Sequence, residues 1–283
     1  MATFTNRATL SYNGNSVNSN IVTGEIQEVL AVSKNAVLDS YTEGGVVTYT
    51  ISLVNSGTLA LENLTVADNL GEYVFGGTNL YPLEYVDNSI LYYVNGILTT
   101  APTVTAGPPL TLSGVNVPAG GDAVIVYQAR VTDFAPLASG SVITNVATVT
   151  GGGLVSPITA TETVTLQDAL QLDITKALSP VVVQENGQLT YTFTIRNYGT
   201  NEAVATDNVT LTDTFDPILN PITVTFNGNV WATPTNYTYN TATGEFATVP
   251  GAITVPAATV TQNEDGTWAV TPGVSTLTVT GTV

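Results

Sequence analysis

The sequence predicts an all-β protein of two tandem β-sandwich domains. Three observations carry this. Short segments alternate apolar and polar residues with period two, as in Thr48–Leu53, Leu189–Ile195, Asn208–Thr212, Ile222–Phe226 and Thr276–Val279. Thr, Val, Ile and Tyr dominate them, and these residues suit a pleated, half-buried surface. Turn residues punctuate the segments, at Asn13-Gly14, Asn95-Gly96, Pro118-Ala119-Gly120-Gly121, Gly151-Gly152-Gly153 and Asn227-Gly228. No stretch of ten or more residues keeps a helical apolar period. Finally, the chain repeats itself.

The repeat divides the chain into domains. Leu30-Ala31-Val32-Ser33-Lys34 matches Leu172-Asp173-Ile174-Thr175-Lys176, Thr48-Tyr49-Thr50 matches Thr190-Tyr191-Thr192, and Asn55-Ser56-Gly57 matches Asn197-Tyr198-Gly199, each pair 142 residues apart. Asn63–Asp68 then matches Asn208–Asp213, Val115–Ala119 matches Ile253–Ala257, and Ala123–Val131 matches Ser275–Val283. The order is kept, so two copies of one Greek-key, immunoglobulin-like sandwich are expected over 30–166 and 172–283.

The copies differ at their ends. The first continues into Val142–Val149, turns at the glycines and returns as Thr159–Leu166, a terminal hairpin. The second contains no such hairpin as far as Val283. Residues 1–26 supply one instead, with Thr3–Leu10 returning as Ile21–Ile26. Thr5-Asn6 and Ala8-Thr9 match Thr144-Asn145 and Ala147-Thr148 at a separation of 139. The linker Gln27–Val29 is short, as is Gln167–Gln171 between the copies, and a chain reaches at most about 3.5 Å per residue. The N-terminal hairpin, through Phe4, Ala8, Leu10, Ile21 and Ile26, is therefore expected to complete the second domain of a neighbouring chain. That is β-augmentation between copies, a head-to-tail contact that builds an open filament when it does not close a ring. The alternative is a circular permutation closing noncovalently within one chain, in a monomeric surface adhesion or ligand-binding module.

Composition narrows the chemistry. The 283 residues hold 22 acids against 5 bases, a net charge of −17, with no His and no Cys. This balance repels nucleic acid and anionic membrane surfaces. It also leaves no thiol, imidazole triad or Cys-ligated metal. No cofactor or metal is expected, and no apolar run is long enough to insert in a membrane. The start has no basic stretch followed by an apolar run, so no classical signal peptide is expected.

The two lysines, Lys34 and Lys176, occupy equivalent places. Leu30, Val32 and Lys34 share one face of a strand, as do Leu172, Ile174 and Lys176. Leu64, Val66 and Asp68 share a face, as do Val209, Leu211 and Asp213. On the hairpins, Ile143, Asn145, Ala147 and Val149 align, and so do Phe4, Asn6, Ala8 and Leu10. Each domain is thus expected to hold an inward Lys, Asp and Asn, the second borrowing Asn6 from a neighbour. Isolated buried charges cost several kcal/mol, roughly, unless paired or neutralised. A buried lysine tends to a neutral amine and a buried carboxyl to its acid form. Such an amine beside a carboxamide can form an amide bond and expel ammonia in a single autocatalytic turnover, with Asp68 or Asp213 as the promoting acid. The other reading is a buried salt bridge in each domain, with Asn only hydrogen-bonded.

The Lys–Asp–Asn order resembles the Lys–Asn isopeptide crosslinks of Gram-positive pilin and adhesin domains. The Lys-bearing first strand, Thr48-Tyr49-Thr50-Ile51 followed by Asn55-x-Gly57, Asn63-Leu64-Thr65-Val66-x-Asp68 and Thr144-Asn145-x-Ala147-Thr148-Val149 together resemble the DUF-eleven repeat of bacterial surface proteins. Size and repeat number are similar to those of the appendage proteins of clostridial spores. The resemblance implies an extracellular, spore- or cell-surface filament subunit that assembles with itself, is released by mother-cell lysis, and has a possible anchoring protein. It implies no enzyme beyond the autocatalytic crosslink.

Other features have plainer readings. Asp207, Asp213 and Asp216 lack calcium-loop spacing and read as surface acids. Trp231, Tyr237 and Tyr239 could stack on a sugar but suit a core at strand spacing. Asn63, Asn208 and Asn236 head glycosylation-type triplets that are common by chance. No carboxylate pair is spaced convincingly for glycoside hydrolysis.

Overall fold

Alternation builds the sheets. In Val46–Asn55 every second side chain is buried, among them Tyr49, Ile51 and Leu53, and the facing strand Asp122–Val131 buries Ala123, Ile125, Tyr127 and Ala129 in the same rhythm. The structure, a computed structural model, describes residues 2–26 and 29–283. Gln27 and Glu28 of the expected linker lie outside the described residues. The chain divides into two compact units: Met1–Pro136 with Val142–Thr165, and Leu137–Ser141 with Leu166–Val283.

In the first unit, two six-stranded antiparallel sheets form a sandwich. One runs Ile97–Thr99, Leu91–Val94, Asp122–Val131, Val46–Asn55, Leu30–Ala36, with Leu83–Tyr85 also on Asp122–Val131. The other runs Thr103–Thr105, Leu110–Val117, Leu61–Asp68, Val142–Gly151, Ile158–Leu166, Ser40–Tyr41. Leu64, Val66, Leu112, Ala147 and Val149 are its buried face. Leu61–Asp68 is paired on both edges, by Leu110–Val117 and by the terminal hairpin strand Val142–Gly151.

The second unit repeats the first sheet. Leu172–Ser179, Gln188–Asn197, Gly273–Thr282, Ile222–Phe226 and Asn229–Val230 form five strands. Its second sheet is cut short, with only Thr212–Thr214, Glu245–Thr248 and Tyr237–Tyr239. Phe193, Ile195, Leu211, Phe215, Phe246 and Leu277 lie in its core. Trp231 stacks on Phe226 with ring centroids 4.8 Å apart, and Tyr237 and Tyr239 pack on the same core.

One expectation needs correction. Asn208–Thr212 is not a strand; regular pairing begins at Thr212. Its counterpart in the first unit has a strand on each side. Here Leu211 is held from one side only, its carbonyl accepting from Thr248 N–H at 2.9 Å and its N–H donating to Thr248 Oγ1 at 2.9 Å. Among the described residues nothing pairs with the other edge.

The N-terminal residues form their own hairpin. Ala2–Asn6 pairs with Val22–Ile26 and Thr9–Tyr12 with Asn15–Asn18, around Asn13-Gly14, where φ is positive at both residues (46° and 79°). This is the backbone that two-residue hairpins of matching twist require. Asn6 faces Val22 but Thr9 faces Asn18, so one extra residue sits in the return strand near Ser19, whose N–H donates to Ala8 O at 2.8 Å. These strands pair only with each other among the described residues.

Candidate functional site

The site of the first unit starts with a lysine at a core position. Leu30–Ala36 is the edge strand of its sheet, and Lys34 points inward beside Tyr49 and Tyr127, with Nζ 4.9 and 5.8 Å from their ring centroids. Leu61–Asp68 brings Asp68 from the facing sheet, and Val142–Gly151 brings Asn145. All of these residues are buried.

They form a continuous polar chain. Lys34 Nζ donates to Asp68 Oδ2. Tyr127 Oη donates to the same oxygen at 2.5 Å. Asn145 Nδ2 donates to Tyr127 Oη at 3.2 Å. The second carboxylate oxygen, Oδ1, accepts from the Leu70 N–H at 3.0 Å. Two polar atoms have no partner among the described residues, Asn145 Oδ1 and Tyr49 Oη. A buried acceptor without a donor costs about 1–3 kcal/mol.

Burial brings the neutral amine of Lys34 within easier reach. Burial pushes the Lys34 ammonium down from 10.5 to about 8, against the opposing pull of Asp68. Burial holds Tyr127 well above its usual value, with the Asp68 charge acting the same way. Tyr49 is raised by burial first and by Asp68 second. Both phenols therefore stay protonated, and Tyr127 acts as a donor.

In the second unit Lys176 bonds Asp213 Oδ2 and lies over Tyr191, 4.4 Å from the ring centroid. The pair repeats Lys34–Asp68, but the Lys176 side chain is 41% exposed and that of Asp213 18%. The expectation that both lysines are buried in the sandwich therefore fails for Lys176. Its strand, Leu172–Ser179, is exposed along its whole length, whereas Leu30 and Lys34 are covered by the sheet that carries the terminal hairpin. Tyr127, opposite Tyr49 in register, is replaced by Val279, opposite Tyr191.

A cleft marks the uncovered face. It measures 310 Å³ and is lined by Leu172, Ile174, Ile195, Val209, Leu211 and Ile253. A second opening of 720 Å³ adjoins it at Thr212 and runs past Asp213 to Tyr239 and Phe246. On the N-terminal hairpin, Phe4 is 51% and Leu10 69% exposed, and Asn6, Ala8 and Ile21 are also exposed. Their counterparts in the first unit, Ile143, Asn145, Ala147 and Val149, are all buried. Ile26 takes part through its backbone pairing with Ala2. Within the chain, Asn6 is not brought to Lys176 by any hydrogen bond of the described residues.

Sequence reasoning missed Tyr127. The signal was present: it is a polar side chain at an inward position of Ala123–Val131 that the second copy fills with valine. Of the loose acidic group, Asp207 accepts from the Val204 N–H at 2.8 Å and Asp213 is paired with Lys176.

No family model matches the chain, and no curated protein matches it. Among solved structures it is similar to the major pilin subunit of Bacillus cereus, 12% identical over 95% of this chain and 73% of that one, TM-score 0.36. It is also similar to the pilus backbone of Streptococcus pneumoniae, 13% identical over 86% and 55%, TM-score 0.35. The collagen-binding domain of an Erysipelothrix rhusiopathiae surface protein is 13% identical over 58% and 59%, TM-score 0.29. The chain thus spans less than two thirds of the latter two. Likenesses at these scores carry no argument about function. Among the described residues no helix is long and apolar enough to cross a membrane.

Proposed function

We propose that this chain is the structural subunit of a surface filament, extracellular and carried on a spore or cell. Subunits join head to tail when the N-terminal hairpin of one completes the second sandwich of the next. One observation carries the reading: Phe4 and Leu10 of the hairpin are exposed, and among the described residues no strand pairs with the 209–213 edge of the second sandwich. Burying Phe4 and Leu10 on docking would contribute about 1.5–3 kcal/mol each. The DUF-eleven resemblance fits this role, with an anchoring protein as a further partner.

The first unit is set up to lock itself. In the neutral form of the Lys34–Asp68 pair, the shared proton rides on the carboxyl and Nζ is a free amine. Nζ attacks Asn145 Cγ, the Cγ–Nδ2 bond breaks, and ammonia leaves. Tyr127, bonded to both Asp68 and Nδ2, gives its proton to the departing nitrogen and is reprotonated by the Asp68 carboxyl, whose carboxylate then takes one proton from Nζ. The product is an amide between Lys34 and Asn145, lighter by about 17 Da for the lost ammonia. The same exchange in the second unit needs Asn6 of a neighbouring chain beside Lys176 and Asp213. Apart from these single turnovers the protein is not an enzyme.

Deleting residues 1–26 tests the assembly. The truncated chain is expected to stay dispersed by negative stain and sedimentation while the full chain forms fibres. Fibres from the truncated chain would refute the reading. A monodisperse full chain would favour the adhesion module with a hairpin closed on its own second unit.

A further inference from the structure

Resting on that assembly reading, we propose the pairing register of the joint: strand Thr9–Tyr12 of one chain adds antiparallel to the open edge 209–213 of a second copy, with Ala8 opposite Asp213, Thr9 opposite Thr212 and Leu10 opposite Leu211. The template lies in the first unit. There Val142–Gly151 pairs with Leu61–Asp68, placing Ala147 opposite Asp68, Thr148 opposite Ala67 and Val149 opposite Val66. Asn63–Asp68 aligns with Asn208–Asp213, and Thr144–Thr148 with Thr5–Thr9, without an internal gap in either. Both alignments together allow one register.

The structure agrees at every edge this register uses. The accepting segment has lost its regular strand geometry over Asn208–Leu211, where its counterpart is a paired strand. One edge of Thr9–Tyr12 is taken by Asn15–Asn18 and the other is open, as Val142–Gly151 takes Ile158–Leu166 on one edge and Leu61–Asp68 on the other. On its far side, the first unit's hairpin is flanked by Ser40–Tyr41. The equivalent position in the second unit holds Val182, which is 82% exposed, and Val183, which is half-buried. The docked hairpin would slot between the 209–213 edge and this pair of valines. A one-residue slip would turn Phe4, Ala8 and Leu10 outward. A two-residue slip would keep the faces but carry Asn6 away from Asp213. In the first unit Asn145, two residues before Ala147, reaches the phenol that bonds Asp68. By the same spacing, Asn6 would reach the Lys176–Asp213 pair in this register.

The chain has no cysteine, so a paired substitution reads the register cleanly. Directly opposed residues have Cα atoms about 4.5–5.5 Å apart, within disulfide reach, and diagonal ones lie about 7–8 Å apart, beyond it. The experiment uses the full chain carrying Lys176→Arg, which cannot acylate, with Thr9→Cys and Thr212→Cys added. After assembly and oxidation, the monomer band in nonreducing SDS gels is expected to shift to a ladder that dithiothreitol collapses. Thr9→Cys with Thr210→Cys, the two-residue slip, is expected to leave monomer. A ladder from the slipped pair alone, or fibres without a ladder from either, overturns the register while leaving the assembly reading intact. A monomer whose thiols are consumed overturns the partner, since the hairpin has then closed on its own chain. Absence of fibres from the variant and from the unsubstituted chain alike sinks the underlying reading as well.

Discussion

Two copies of one constellation sit in different surroundings. Lys34 and Asp68 are sealed by a hairpin of their own unit, with Tyr127 between them and Asn145. Lys176 and Asp213 make the same contact at an open face, with Val279 where the tyrosine would stand. The first pair is held out of water and its lysine is pushed down to about 8. Lys176 keeps much of its hydration, its side chain 41% exposed. One hairpin therefore decides how far the pair is shielded from water; under the proposed crosslinking, the first unit would mature alone and the second would wait for a partner.

The sharpest way to break this comparison is to remove each acid. To keep a covalent bond from masking the result, the background is Asn145→Ala. Asp68→Ala leaves Lys34 buried without its partner and is expected to cost about 3–5 kcal/mol in urea unfolding. Asp213→Ala in the unassembled chain is expected to cost less than about 1 kcal/mol, as for other solvent-exposed pairs. Equal costs would mean that the two sites are equally buried. Next in size is Tyr127→Phe, which deletes the donor to Asp68 and is expected to cost about 1–3 kcal/mol. It should also slow ammonia loss from the first unit, read by intact mass after refolding. Unchanged kinetics would remove Tyr127 from the mechanism. The smallest effect is on pH. The folded value of Lys34 (about 8) lies below its ordinary 10.5. Between them the unfolded chain holds a proton that the folded one has released, so stability in the Asn145→Ala background rises as pH is raised through this window. A flat profile would say that Lys34 is not desolvated.

Much of this was legible in the residues. Strand alternation and turn glycines gave the sheets. The repeat located Lys34, Asp68 and Asn145 before any geometry, because polar residues at matched inward positions must find one another to be tolerated in a core. The rest depended on partners. Asn208–Leu211 has strand composition, yet a strand needs neighbours, and among the described residues none pairs with its other edge. The burial of Lys176 failed for the same reason. The displaced register near Ser19 and the strand pair Thr259–Gln262 and Trp268–Thr271 have no counterpart in the first copy, so the repeat could not foretell them.

The most direct measurement is electrophoresis of assembled full chain boiled in SDS, with intact mass, beside the Lys176→Arg variant. With no cysteine present, the account predicts a ladder of multimers that boiling does not collapse. It predicts that Lys176→Arg reduces this to a single monomer band, still lighter by one ammonia, about 17 Da, from the Lys34–Asn145 bond. A monomer at full mass in both samples would contradict it, leaving two buried or half-buried ion pairs and no covalent chemistry.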